Sequence, residues 1–259
     1  MHASGYVNYH IQSPQPQAYH IDADGVTGAI KAPELVKTEI ALTDLRTSAE
    51  AEPVFEADGI EFAPWPNATQ PDASDQWQDA YDAEIRAFFT KRLGAREIII
   101  FDHTHRIDSP DAVRKPARNV HSDYSAQGAE KRLTDLLGLE KAAEWRTGHF
   151  AFVNVWRPVE NPINSSPLGF IRPGSVAPQD WVDIALIYPD RRGQILGLAA
   201  NPAHDWIYRS KMTPDEIVFF NIYDNAGLPP VAHSAIDRTE NASQNTVRQS
   251  IETRMLVRY

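Results

Sequence analysis

His121-Ser122-Asp123 and, more than a hundred residues further on, His233 constrain what this chain can fold into more than any other feature. Residues i and i+2 of a strand point the same way, so one strand end can present both the imidazole and the carboxylate of a His-x-Asp pair. The distant imidazole has to be delivered by folding, which reads as a barrel closing around a metal. Two imidazoles and one carboxylate on three corners of a metal leave the opposite face open, an arrangement that suits non-haem Fe(II). Arg248-Gln249-Ser250 follows at the start of a last apolar strand. A planar bidentate donor with a hydroxyl on the same face suits the far carboxylate of 2-oxoglutarate.

A chain of 259 residues can form one large domain or two small ones, and all-β barrels of this length are often single. We therefore expect one domain over 1–259, with an N-terminal arm and wrapping loop over 1–75 and a body of helices and barrel over 76–259. The formal charge of −10 argues against nucleic acid or an anionic membrane as partner, since both call for basic patches. The chain has no Cys, which removes disulfides, thiolate metal sites and a thiol nucleophile and leaves His and carboxylate as metal ligands. The start, MHASGYVNYHIQS, has neither the basic beginning nor the apolar core of a signal peptide, and no apolar run is long enough for a membrane helix. The expected compartment is the cytosol. Oligomeric state is not legible.

Along the chain, TEIALTDLR within residues 1 to 50 alternates and could add a strand or two to a sheet. Residues 51 to 76, rich in Pro, Ala and Asp around Pro64-Trp65-Pro66, read as a wrapping loop. From Asp75 the spacing of Trp77, Tyr81, Ile85 and Phe88 or Phe89 predicts a helix that closes at Gly94. Arg96 to Asp102 is a continuous apolar run bounded by charge, as expected of a strand buried on both faces. After the His-Ser-Asp motif, SAQGAEKRLTDLLGLEKAAEW predicts a second helix capped by Ser122 or Ser125. Strands are then expected at Phe150 to Arg157, Asp183 to Tyr188, Gln194 to Leu198, Asp205 to Tyr208, Glu216 to Tyr223 and Ser250 to Tyr259. Short strands at this spacing predict a mainly β fold with flanking helices, a double-stranded β-helix of the jelly-roll or cupin-like kind.

These residues carry a resemblance. Phe101-Asp102-His103-Thr104 with Arg106, Val120 to Ser125, Asn154-Val155-Trp156-Arg157-Pro158, Pro167-Leu168, Phe220 to Asp224, His233-Ser234-Ala235 and Arg248 to Arg254 together resemble a 2-oxoglutarate-dependent oxygenase-like family of secondary metabolism. That family includes fungal gibberellin desaturases and the hydroxylase component of cephalosporin 7α-methoxylation. The chain departs from the family pattern after Pro167-Leu168, where Gly169-Phe170-Ile171-Arg172-Pro173 stands in place of an expected Asp. The resemblance implies an Fe(II)- and 2-oxoglutarate-dependent dioxygenase that consumes O2 and hydroxylates, desaturates or otherwise oxidises a small metabolite, releasing succinate and CO2. It implies His121, Asp123 and His233 as metal ligands.

For the co-substrate, Arg248 with Ser250 competes with Arg254, which lies on the same face six residues on. Arg248 is preferred, having a Ser partner. Asn154 and Arg157 interrupt an apolar strand, so they either line the cofactor pocket or hold the sheet by structural hydrogen bonds. Arg106 and Tyr124 are candidates for substrate contact. His103 and His105 form a second pair with no convincing third ligand, and a buried hydrogen-bonded role is expected for them. The substrate expected by analogy is an apolar or amphipathic small molecule. Two alternatives stay open: a metal-dependent dioxygenase, isomerase or lyase on the same barrel that does not use 2-oxoglutarate, and a non-enzymatic binding protein.

Overall fold

Alternating inward and outward side chains turn most of this chain into strands. The computed structural model describes residues 3–23, 29–66, 69–71, 76–238 and 247–259. In chain order the elements are β1 (Ala3–His10), β2 (Gln17–Ile21), β3 (Ile30–Lys31), β4 (Leu35–Asp44), α1 (Phe55–Asp58), β5 (Ile60–Pro64), α2 (Trp77–Leu93), β6 (Glu97–Ile107), β7 (His121–Ser122) and α3 (Ala126–Arg146). They continue with β8 (Phe150–Pro158), β9 (Leu168–Ile171), β10 (Trp181–Ile187), β11 (Arg192–Leu198), β12 (Trp206–Tyr208), β13 (Glu216–Asp224), β14 (His233–Ala235), β15 (Asp237–Arg238) and β16 (Gln249–Arg258). Among the described residues, eleven strands form one sheet, in the order β15, β1, β4, β12, β9, β14, β7, β11, β10, β2, β3. Five form the other, in the order β5, β13, β8, β16, β6. The fold is a double-stranded β-helix, as expected.

Strand parity decides what each face of the smaller sheet meets. On β8 the even positions Phe152 and Trp156 enter the core between the sheets, with Phe170 of β9 and Phe220 of β13. The odd positions Val153 and Val155 join Phe219 and Ile251 beneath Tyr81, Ile85 and Phe89 of α2. Each such fully buried side chain contributes about 1.5–3 kcal/mol relative to exposure, so α2 is held by its apolar stripe. Behind the larger sheet, Val7 and Tyr9 of β1 pack with Ile40, Leu198 and Trp206.

Several expectations need correction. Residues 1 to 50 supply four strands, and β1, β2 and β4 are integral members of the larger sheet. The stretch over 51 to 76 contains α1 and β5 and buries Trp65; Asp75, where the helix was expected to begin, lies outside the described residues. The run from Arg96 is not buried on both faces. It forms β6 at the edge of the smaller sheet, paired only with β16, and most of its residues are partly exposed. Ser125, not Ser122, caps α3, accepting from Gly128 N at 3.0 Å, while Ser122 is paired into β7. That helix is interrupted at Gly138, whose positive φ of 75° breaks the α geometry. The short β7 is the strand end expected for the His-x-Asp pair, while β14 was not foreseen, because three residues carry no periodicity.

Candidate metal centre

The register of the larger sheet assembles the centre. His121 of β7 lies directly opposite His233 of β14, so the two imidazoles leave the same face, with ring centroids 4.5 Å apart. Asp123 follows two residues after His121, and its Oδ1 is 3.4 Å from His121 Nε2. One potential ligand atom from each of the three residues lies within 4.8 Å of the others. The donor atoms are set by what the rest of each group does. His121 Nδ1 donates to Asn119 O at 2.8 Å and His233 Nδ1 to Val231 O at 3.2 Å. A carbonyl can only accept, so both rings keep Nε2 as a lone-pair donor toward the shared space.

The remaining oxygen of Asp123 is occupied. Oδ2 accepts from Arg254 Nε and from Asn154 Nδ2, each at 2.9 Å. Burial alone would raise this carboxyl, but the Arg254 charge and the two imidazoles outweigh it and hold it well below the usual carboxylate range. Arg254 also pairs with Glu252 and with Asp102, and its Nη1 donates to Thr104 Oγ1 at 3.0 Å. Burial works against its charge, yet Glu252 and Asp123 hold it well above the ordinary arginine value. His233 is lowered to about 3, first by burial and then by His121. It is therefore neutral at physiological pH and available as a ligand.

A cleft lined by His121 and His233 is also lined by Arg106, Trp156, Arg248 and Glu252. Arg248 is 3 % exposed, and its Nε and Nη1 have no partner among the described residues. Only Nη2 is engaged, donating to Ser250 Oγ at 3.2 Å, while the guanidinium carbon lies 5.3 Å from the Trp156 ring centroid. Burial, then repulsion from Arg106, brings this guanidinium down to about 9. Asp108, the acid that most favours its charge, is committed to Arg118 and Ser166. A buried fork with two free donors is a receptor for a carboxylate.

The structure separates the expected residues into groups. His121, Asp123 and His233 come together, and Arg248, Ser250 and Arg106 gather beside them. Arg254 and Asn154 face the centre but are bonded to Asp123, so they orient a ligand instead of lining the cleft. Arg157 is corrected outright: at an odd position of β8 it points to the α2 side, fully buried over Tyr81 and bonded to Tyr81 Oη, Gln70 and Thr69 O. Tyr124 packs on Phe152 and interacts with Arg132 instead of entering the cleft. His103 is half-buried and hydrogen-bonded to Thr253 and Asp82, both at 2.9 Å, as expected, whereas His105 is exposed against the Trp77 ring and does not take the buried role expected of it. Glu252 and Trp156 were missed. Their parity with Ser250 and Asn154 was the available signal.

With this geometry in hand, comparisons with known proteins are informative. Residues 6–258 match the family described as Oxidoreductase/YMDC permease-like domain. Among curated relatives, the hydroxylase/desaturase efuI of Hormonema carpetanum is 33 % identical over 57 % of this chain and 53 % of its own length. The Fe(II)/2-oxoglutarate-dependent dioxygenase nvfI of Aspergillus novofumigatus is 26 % identical over 68 % of this chain and 66 % of its own. The matched stretch thus spans about half to two thirds of these relatives. A solved structure, the iron and alpha-ketoglutarate-dependent endoperoxidase NvfI, superposes with a TM-score of 0.84 at 20 % identity, covering 99 % of this chain and 98 % of that one.

Proposed function

Since the chain belongs to the Oxidoreductase/YMDC permease-like domain family, we propose that it is a non-haem Fe(II)- and 2-oxoglutarate-dependent oxygenase acting on a small secondary metabolite. The single observation that carries this reading is Arg248: a buried guanidinium with two donors unpartnered among the described residues, in the same cleft as two imidazoles whose Nδ1 atoms are bonded to backbone carbonyls. The names of the relatives, a hydroxylase/desaturase and an Fe(II)/2-oxoglutarate-dependent dioxygenase, support it.

The residues fit the groups this activity requires. His121, Asp123 and His233 supply two nitrogens and one oxygen, a set that suits Fe(II) and leaves positions for other ligands. Arg248, steered by Ser250 and backed by Trp156, would take the distal carboxylate of 2-oxoglutarate. Charge balance agrees. Arg106, Arg248 and Arg254 face Asp102, Asp123 and Glu252 around the centre, three cations against three carboxylates. A divalent cation and a dicarboxylate then enter together without changing the sum.

Iron with 2-oxoglutarate and O2 supplies the oxidising chemistry when bound. The protein's part is positional. Arg254 and Asn154 hold Asp123 Oδ2 so that Oδ1 alone faces the imidazoles, and the Asn119 and Val231 carbonyls fix the ring orientations. The apolar wall of the cleft, including Leu168 and Trp156, excludes water from the reacting groups.

The two sheets share the centre, which supports reading 1–259 as one oxygenase domain. Among the described residues no helix is long and apolar enough to cross a membrane. A cytosolic setting, an apolar or amphipathic substrate and the absence of nucleic-acid or membrane partners remain part of the proposal. The test is O2-dependent conversion of labelled 2-oxoglutarate to succinate by the Fe(II)-loaded protein, absent from His233→Ala. Iron binding without succinate would move the assignment to an enzyme of the same barrel that does not use 2-oxoglutarate.

A further inference from the structure

The larger sheet extends beyond the centre on the side away from Arg248. Register pairs Gly197 with His121, Val182 with Gly197 and Ile184 with Ile195, so all of these positions share the face that carries the metal centre. Tyr19 of β2 joins them opposite Leu186. Val182, Ile184, Ile195 and Ala199 form an apolar cluster of their own, separate from the core between the sheets, with Tyr19 and Leu186 half-buried against it.

Where this strip reaches His121 stands His10. Its ring occupies the place of a side chain at 197: a Cβ there would lie 2.6, 2.8 and 2.9 Å from His10 Cδ2, Cγ and Nε2. Only glycine lets the imidazole lie so closely against β11 beside the centre. His10 is 2 % exposed, and neither ring nitrogen has a hydrogen-bond partner among the described residues. The Tyr19 hydroxyl, on a ring set edge-on to His10 at 6.0 Å, is buried and unpartnered as well. Two such groups side by side are costly unless something polar meets them. The Arg248 cleft does not meet them, because its lining includes no residue of β2, β10 or β11.

We propose that His10, Tyr19 and the Ile184–Ile195 strip form the berth of the primary substrate, a largely apolar small molecule bearing a hydroxyl or carbonyl oxygen that His10 and Tyr19 hydrogen-bond. The inference rests on the oxygenase reading of the centre. The polar end of the molecule is fixed beside His121, and the apolar body lies along Val182, Ile184 and Leu186. Specificity is set by the distance between the oxygen function and the carbon presented to the centre.

Camphor, a compact apolar cage with one carbonyl, serves as the probe. It is titrated into the full chain by ligand-observed NMR, with Fe(II) and 2-oxoglutarate under argon and again without them. We expect saturable binding that His10→Leu and Tyr19→Phe each weaken about tenfold, the equivalent of one net hydrogen bond. His10→Gln, which keeps a donor and an acceptor, should retain most of it. No saturable binding by the wild type, or equal binding by His10→Leu and Tyr19→Phe with thermal unfolding showing both folded, would each overturn the berth. The oxygenase reading is separated by the visible absorption of the Fe(II) and 2-oxoglutarate chelate. If that band forms while camphor ignores His10 and Tyr19, the berth alone fails; if camphor binding depends on them but no band forms, the oxygenase reading alone fails.

Discussion

Replacing Arg248 by Met should strengthen the free protein and cripple co-substrate binding, two effects of opposite sign from one side chain. Burial and Arg106 bring the guanidinium from the ordinary arginine value down to about 9, which corresponds to roughly 5 kcal/mol against keeping it charged in place. At neutral pH, below both values, that penalty is fully present. Met has similar length and no charge. It forfeits the 3.2 Å bond to Ser250 and the stacking on Trp156, together worth about 2 kcal/mol. The net, about 3 kcal/mol in favour of the variant, should raise Tm by on the order of 10 °C for a chain of this size. In the same variant the affinity for 2-oxoglutarate should fall by roughly a hundredfold or more, because charged, desolvated contacts of this kind are worth about 2–5 kcal/mol. Differential scanning calorimetry of ligand-free protein and a 2-oxoglutarate titration of Fe(II)-loaded protein read the two arms. A variant that melts lower without ligand, or binds 2-oxoglutarate as tightly as the wild type, refutes the reasoning.

Three further expectations follow from the centre. His121→Ala and His233→Ala should lose iron binding while keeping the fold, measured by metal analysis and circular dichroism; iron retained at full stoichiometry would remove them as ligands. Asn154→Ala should lower metal affinity about tenfold or more by loosening Asp123, whereas Arg254→Met should also cost about 3–5 kcal/mol of stability because Asp123 and Glu252 lose their shared cation; urea unfolding that leaves Arg254→Met as stable as the wild type would contradict this. In metal-free protein His233 titrates near 3 when folded and near 6.5 when unfolded, so between these values the unfolded chain holds the extra proton. Stability should therefore fall as pH drops from 6.5 toward 3, by up to about 1.4 kcal/mol per pH unit for this one group, and His233→Gln should flatten that slope.

The convergence of His121, Asp123 and His233 was legible because its signal does not depend on secondary-structure periodicity. His121-Ser122-Asp123 needs only one extended dipeptide step, and the pairing of His233 with His121 is a matter of which strands meet. What the sequence hid is how charges distribute once strands pair. Arg254 has the parity of Arg248, yet Asp102 from the neighbouring strand, Glu252 and Asp123 converge on it and leave it no free donor for a ligand. Arg157 was misplaced for a simpler reason. It stands three residues from Asn154, an odd interval that puts it on the opposite face of β8. The N-terminal segment looked structural, and its contribution of His10 became visible only through the close approach at Gly197, a contact between positions far apart in the chain.

An anaerobic titration of the purified chain with Fe(II) and then 2-oxoglutarate tests the account most directly. It predicts that a weak visible charge-transfer band appears only when both are present, and that it disappears in His233→Ala and requires far more 2-oxoglutarate in Arg248→Met. Iron bound at one equivalent with no band at saturating 2-oxoglutarate would contradict the account and leave Arg248 as a contact for a different carboxylate.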